Sequence, residues 1–146
     1  MAIDETLPEE LAKNLTPDID LQSLGSQFDL NGKIAFVPGG YGAIGEAVCW
    51  ALAVAGATVA VAGPTGAKAE KLAAMMRSQG YDAQAWALDA RQVSDIQSVV
   101  DEVAEAYGRI DILVNCVGIQ REQTLFEVTE ETFDLMYETN LKSAMF

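Results

Sequence analysis

Residues 37 to 45 read Val-Pro-Gly-Gly-Tyr-Gly-Ala-Ile-Gly, where a β-rich run gives way to an alanine-rich one. Glycine lets a diphosphate approach the main chain closely, and a helix N-terminus offers unpaired N–H groups and about half a positive charge. Gly40-x-Gly42-x-x-Gly45 fits the dinucleotide fingerprint. Gly39, Gly40, Tyr41, Gly42, Ile44 and Gly45 are therefore candidate diphosphate contacts, with a ligand-free tight turn as the alternative. An acid expected roughly 20 residues further on, which would hold an adenosine ribose, is missing, because the next β-rich run closes Ala62-Gly63-Pro64-Thr65. With no carboxylate to repel a 2′-phosphate, and with Thr65 and Lys68 as donors, this loop leans towards NADP; a plain turn before a helix explains the same residues equally well.

Three polar residues follow at positions where a side chain could meet a ligand. Asp89 ends a β-rich run, where its carboxylate could accept from an exocyclic amine or serve the first turn of the next helix. Asn115 could bridge neighbouring loops or touch a ligand. Asn140 falls inside a helical pattern, where a side chain that competes with the backbone needs compensation.

Other chemistry is excluded by composition. The 146 residues contain no histidine, so neither a histidine-based triad nor a histidine-ligated metal is available, and no metal site is expected. Cys49 and Cys116 lie far apart, without Cys-x-x-Cys spacing, and read as unpaired thiols of a reducing, cytoplasmic setting. Nine Lys and Arg against 22 Asp and Glu leave a net charge of −13, which repels nucleic acid and anionic membrane surfaces. No apolar run approaches the roughly 18 residues of a membrane span.

The elements that must position these residues alternate. Short β-rich runs at 33–37, 58–62, 83–88 and 110–114 are followed by helical patterns at 43–55, 67–79, 95–107 and from Thr129 through Asn140. Gly56, Gly80 and Gly108 stop the first three helices, Ser94 and Gln97 have capping-box spacing, and Thr129 reads as an N-cap. Such alternation predicts an α/β fold: a Rossmann-like, doubly wound parallel sheet with right-handed crossovers and ligands at the carboxyl ends of its strands. Residues 1–27 read as an acidic extension with one short helical signal from Thr6 to Leu15, and 28–146 as the dinucleotide-binding domain.

Four ordered segments resemble the short-chain dehydrogenase/reductase family. They are the lead-in Phe28-Asp29-Leu30-Asn31-Gly32-Lys33 with the glycine turn, then Leu88-Asp89-Ala90, then Gly108 through Ile119, and last Asn140-Leu141-Lys142-Ser143. The resemblance implies an NAD(P)-dependent oxidoreductase moving hydride between nicotinamide and an alcohol or carbonyl substrate. It implies that Asp89 and Ala90 lie at the adenine, that Asn115, Val117 and Gly118 line the cofactor path, and that Asn140 belongs to the catalytic tetrad. A homo-oligomer is implied for the complete protein. The loop Ile119-Gln120-Arg121-Glu122 is similar to that of members acting on sugar acids or polyols. Three departures stand out: Pro38 for a threonine, Ala43 for the middle glycine, and Cys116-Val117 within the Asn115 turn.

The family's tyrosine and lysine, one helical turn apart, have no counterpart. Four residues after Tyr41, Tyr81, Tyr107 and Tyr137 stand Gly45, Ala85, Asp111 and Leu141. The chain thus reads as an amino-terminal, incomplete portion, with no turnover expected from it alone. A non-catalytic NAD(P)-binding or protein-interaction module is the alternative.

Overall fold

Parallel strands covered on both faces need nearly continuous apolar runs, and the first two strands supply them. In the computed structural model, which describes residues 28–146, β1 (Ile34–Pro38) is buried throughout and β2 (Thr58–Gly63) is buried from Val59 onward. With β3 (Ala83–Ala87) and β4 (Ile112–Leu113) they form one parallel sheet in the order β3-β2-β1-β4. The extension 1–27, with its Thr6–Leu15 signal, lies outside the described residues.

Alternation along the strands divides the core in two. Val37, Val59 and Val61 face α1 (Ala43–Val54) and α2 (Gly66–Ser78), where Cys49, Leu72 and Met76 are buried. Phe36, Ala60 and Ala62 face α3 (Val93–Tyr107) through Ile96, Val99 and Val103. Helices on both sides make the sheet doubly wound, as the pattern predicts. α3 ends at Gly108 (φ +78°), whose N–H donates to the Ala104 carbonyl. α4 (Glu130–Tyr137) starts at Thr129, whose hydroxyl accepts from the Thr132 N–H.

Three local expectations are corrected. Ser94 does not cap α3, which starts after Gln92. Its neighbour Asp95 instead accepts from the Asp89 N–H (2.8 Å), fastening the helix to the end of β3. β4 is shorter than 110–114: it pairs with β1 alone, over two residues, and beyond it the contact with β1 continues through the Val114 and Cys116 N–H groups. The last helix does not continue regularly through Asn140 but widens into a π-helical turn over Glu138–Lys142, followed by one turn at Ser143–Met145. Along this stretch Phe133, Leu141 and Met145 stay exposed, in line with more apolar surface than the neighbouring elements cover.

Side chains strengthen the short β4 pairing. Asp111 Oδ2 accepts from the Ile34 N–H (2.8 Å) and from Arg109 Nε (2.9 Å), while Arg109 Nη2 donates to the Gly32 carbonyl (2.6 Å). The Ile34 N–H, ahead of the Arg109 guanidinium, holds the Asp111 carboxyl below its ordinary range. A depressed folded value stabilises above the unfolded value, near pH ~4, and that stability is lost as pH falls through the folded one. Asp111→Asn is therefore expected to be less stable than the parent at pH 6, with the gap closing towards pH 3. Thermal unfolding across that range measures it, and a constant gap contradicts it.

Candidate functional site

The turn from β1 into α1 is built by glycines with different tasks. Gly39 has φ +75°, and a Cβ there would overlap the Cys116 carbonyl and come within 2.8 Å of the Val117 N. A Cβ on Gly45 would strike the Gly39 carbonyl oxygen. Gly40 is buried, and its N–H donates to the Ala62 carbonyl (3.1 Å). These three let the turn pack against its own helix and the neighbouring loops. Gly42 heads α1 with no side-chain cap, and the first helical bond runs from the Glu46 N–H to the Gly42 carbonyl. The N–H groups of Ala43, Ile44 and Gly45 thus precede the ladder, as a diphosphate site requires. Pro38 suits its place at the end of β1: its carbonyl accepts from the Cys116 N–H (2.8 Å).

In front of this turn a cleft of about 380 Å³ opens at the carboxyl ends of the strands. It brings together Gly39, Tyr41, Gly42, Asp89, Ala90, Val117 and Gly118 of the predicted residues. Gly40 and Gly45 lie buried behind it, and Ile44, Thr65, Lys68, Asn115 and Asn140 are not among its walls. Gly63, Pro64, Arg91, Ile119, Arg121 and Thr139 also line it; the sequence marks the loops of the first five as informative, but names none of the six as a site residue. Gly63 ends β2, Pro64, Arg91, Ile119 and Arg121 belong to the strand-end loops, and Thr139 adjoins Asn140.

Several predicted side chains already have partners. Arg91 grips Asp89 with two bonds, Nε to Oδ1 (2.9 Å) and Nη2 to Oδ2 (2.7 Å), and this pairing holds the Asp89 carboxyl below its ordinary range. An amine arriving at Asp89 shares the carboxylate with that guanidinium. Asn115 Oδ1 accepts from the Val117 N–H (2.9 Å), so its side chain shapes its own turn and bridges no second loop by that bond. Burial pushes the Cys49 thiol up to about 12 and also raises Cys116, so both cysteines, which are free, stay protonated at neutral pH.

Asn140 has the compensation that a mid-helix asparagine needs. Its Oδ1 accepts from the Ile119 N–H (2.8 Å) and its Nδ2 donates to the Ile119 carbonyl (2.9 Å). The π-helical turn around it holds the loop after β4 to the last helix through this amide pair. Asn140→Ala removes both bonds. We expect exchange of the Ile119 amide hydrogen to accelerate roughly ten-fold, about the worth of one such bond. Native-state hydrogen exchange reads it directly, and unchanged protection would refute the tie.

The sequence profile described as short chain dehydrogenase matches residues 33–146. The chain belongs to this family. A short-chain dehydrogenase turn is thus what the glycines of residues 39 to 45 build. Among similar proteins, the glucose and ribitol dehydrogenase homolog of Oryza sativa subsp. japonica is 37% identical, the match covering 97% of this chain and 51% of that protein. D-threitol dehydrogenase of Mycolicibacterium smegmatis is 35% identical over 82% of this chain and 47% of its own length. A solved dehydrogenase/reductase from Sinorhizobium meliloti 1021 superposes with a TM-score of 0.80 at 34% identity, covering 85% of this chain and 50% of that one. The chain spans about half the length of the curated relatives it matches. Among the described residues no cluster of His, Cys, Asp or Glu could hold a metal ion, and no helix is long and apolar enough to cross a membrane.

Proposed function

We propose that this short-chain dehydrogenase chain supplies the dinucleotide-binding half of an oxidoreductase acting on alcohol or carbonyl groups. The observation that carries the reading is the uncapped N-terminus of α1, set behind a glycine turn that opens on the strand-end cleft. The backbone of residues 39 to 45 would hold the diphosphate, Asp89 and Ala90 the adenine side, and Val117 and Gly118 the path towards the nicotinamide. When bound, the nicotinamide supplies hydride transfer. The chain's own residues bind and orient it, while Asn140 holds the loop that borders the reacting end.

NADP is favoured over NAD because β2 ends in Gly63 without an acid, and Lys68 is the nearby cation. Polyols or related small hydroxylated molecules are the proposed substrates, supported by the likeness to D-threitol dehydrogenase and to the glucose and ribitol dehydrogenase homolog. We place the complete protein in the cytoplasm as a homo-oligomer, supported by its free cysteines and by the exposed apolar face of its last helix. The 146 residues contain no Tyr-x-x-x-Lys pair, so binding of the dinucleotide, and no turnover, is expected of this chain by itself.

Isothermal titration with NADPH and NADH tests the binding reading. Heat of binding and a raised unfolding temperature support it. No heat and no protection with either dinucleotide would reject it.

A further inference from the structure

Tyr41 stands at the junction between the glycine turn and the loop after β2, and three observations fix its place. Its phenolic oxygen accepts from the Thr65 N–H at 2.9 Å. Its ring lies against Gly63 so closely that a Cβ there would be 2.5 Å from Tyr41 Cε1. Lys68 Nζ is 6.0 Å from the ring centroid. Tyr41 and Gly63 both line the cleft.

Gly63 is the last residue of β2, and the end of that strand is where a ribose-binding acid would stand. The ring of Tyr41 fills the space that any side chain at 63 would enter. A side chain at 63 therefore requires the ring to move: an acid at 63 and this placement of the Tyr41 ring exclude each other. We propose that Tyr41 is the specificity-determining residue for the adenosine ribose, taking the place of the absent acid. This rests on the dinucleotide reading above.

The chemistry of the two groups differs in sign. A carboxylate at the strand end accepts from a 2′-hydroxyl and repels a 2′-phosphate. The Tyr41 hydroxyl has already accepted the Thr65 N–H, so its own hydrogen is the group left to give. A hydroxyl that donates, with the Lys68 ammonium 6.0 Å from the centre of the same ring, makes a stronger, charge-assisted bond to a phosphate oxygen than to a 2′-hydroxyl. Thr65 contributes to this site through its main chain: its N–H is spent on orienting the phenol and is not free for a ligand.

Three variants of the full chain, each titrated with NADPH, NADH and 2′,5′-ADP, test this. Tyr41→Phe keeps the ring and removes the donor. It should weaken NADPH and 2′,5′-ADP about thirty-fold, the worth of one charge-assisted hydrogen bond, and leave NADH much less affected. Tyr41→Ser with Gly63→Asp should reverse the preference to NADH. Gly63→Asp alone, which must expel the ring, should lose NADPH binding. If Tyr41→Phe weakened both dinucleotides equally, the tyrosine would only be bracing the loop, and the proposal would fail. No change in either, or a double variant that still prefers NADPH, would overturn it as well. Failure of the parent chain to bind either dinucleotide would reject the underlying functional reading and this inference with it.

Discussion

Gly39→Ala should lower folding stability by about 3 to 5 kcal/mol and abolish dinucleotide binding even where the protein is still folded. Two costs combine at this position. The backbone sits at φ +75°, where an alanine is strained by about 1 to 2 kcal/mol. The added methyl also overlaps the Cys116 carbonyl and approaches the Val117 N, which are main-chain atoms of the loop after β4 and cannot swing aside as a side chain could. Relief comes only by separating the β1 turn from the loop after β4, and both segments line the cleft. Chemical denaturation gives the stability change, and titration at low temperature, where the folded fraction dominates, gives the binding change. A variant that binds NADPH with parental affinity would show that this close approach is not needed.

Met76→Ala should cost a comparable 2 to 5 kcal/mol, roughly, without altering the affinity of folded molecules. Met76 is fully buried between α2 and the sheet, within a cluster that includes Val59, Val61 and Ala83. It does not line the cleft. The cavity left by truncation lies in the layer beneath α2, and the turn into α1 keeps its own contacts. Saturating dinucleotide should then restore part of the lost stability in proportion to the logarithm of its concentration, as it does for the parent. Equal affinity in Met76→Ala beside lost affinity in Gly39→Ala would separate the scaffold from the site. A Met76→Ala protein that is as stable as the parent would contradict the packing described.

The elements of the sheet were legible because both periodicities are local. A strand buried on both faces must be apolar along its length, and the glycines after α1, α2 and α3 mark where each helix stops. The site was legible where it too is local: a glycine turn between a strand and a helix announces itself within nine residues. Pairings distant in sequence were not. Nothing in the spacing of Tyr41 and Thr65 shows that a phenol reaches a main-chain N–H across 24 residues, nor that Asp111 reaches Ile34 across 77. The π-helical turn was half legible. Asn140 was marked as needing compensation, but the partner that supplies it, Ile119, lies 21 residues back in a loop with no pattern of its own. Ser94 misled for the opposite reason. Capping-box spacing is a local signal, and here Gln92 and Asp95 make the bonds that start the helix, set by the end of β3.

The contact between Tyr41 and Gly63 has a consequence for how this protein can change. Position 63 can accept a side chain only if the ring at 41 is displaced or removed, and either change takes the partner of the Thr65 N–H away. A library that randomises codon 63 alone sets every residue but glycine against the Tyr41 ring, whereas randomising both codons opens a second solution. For heredity, the two positions behave as a single locus.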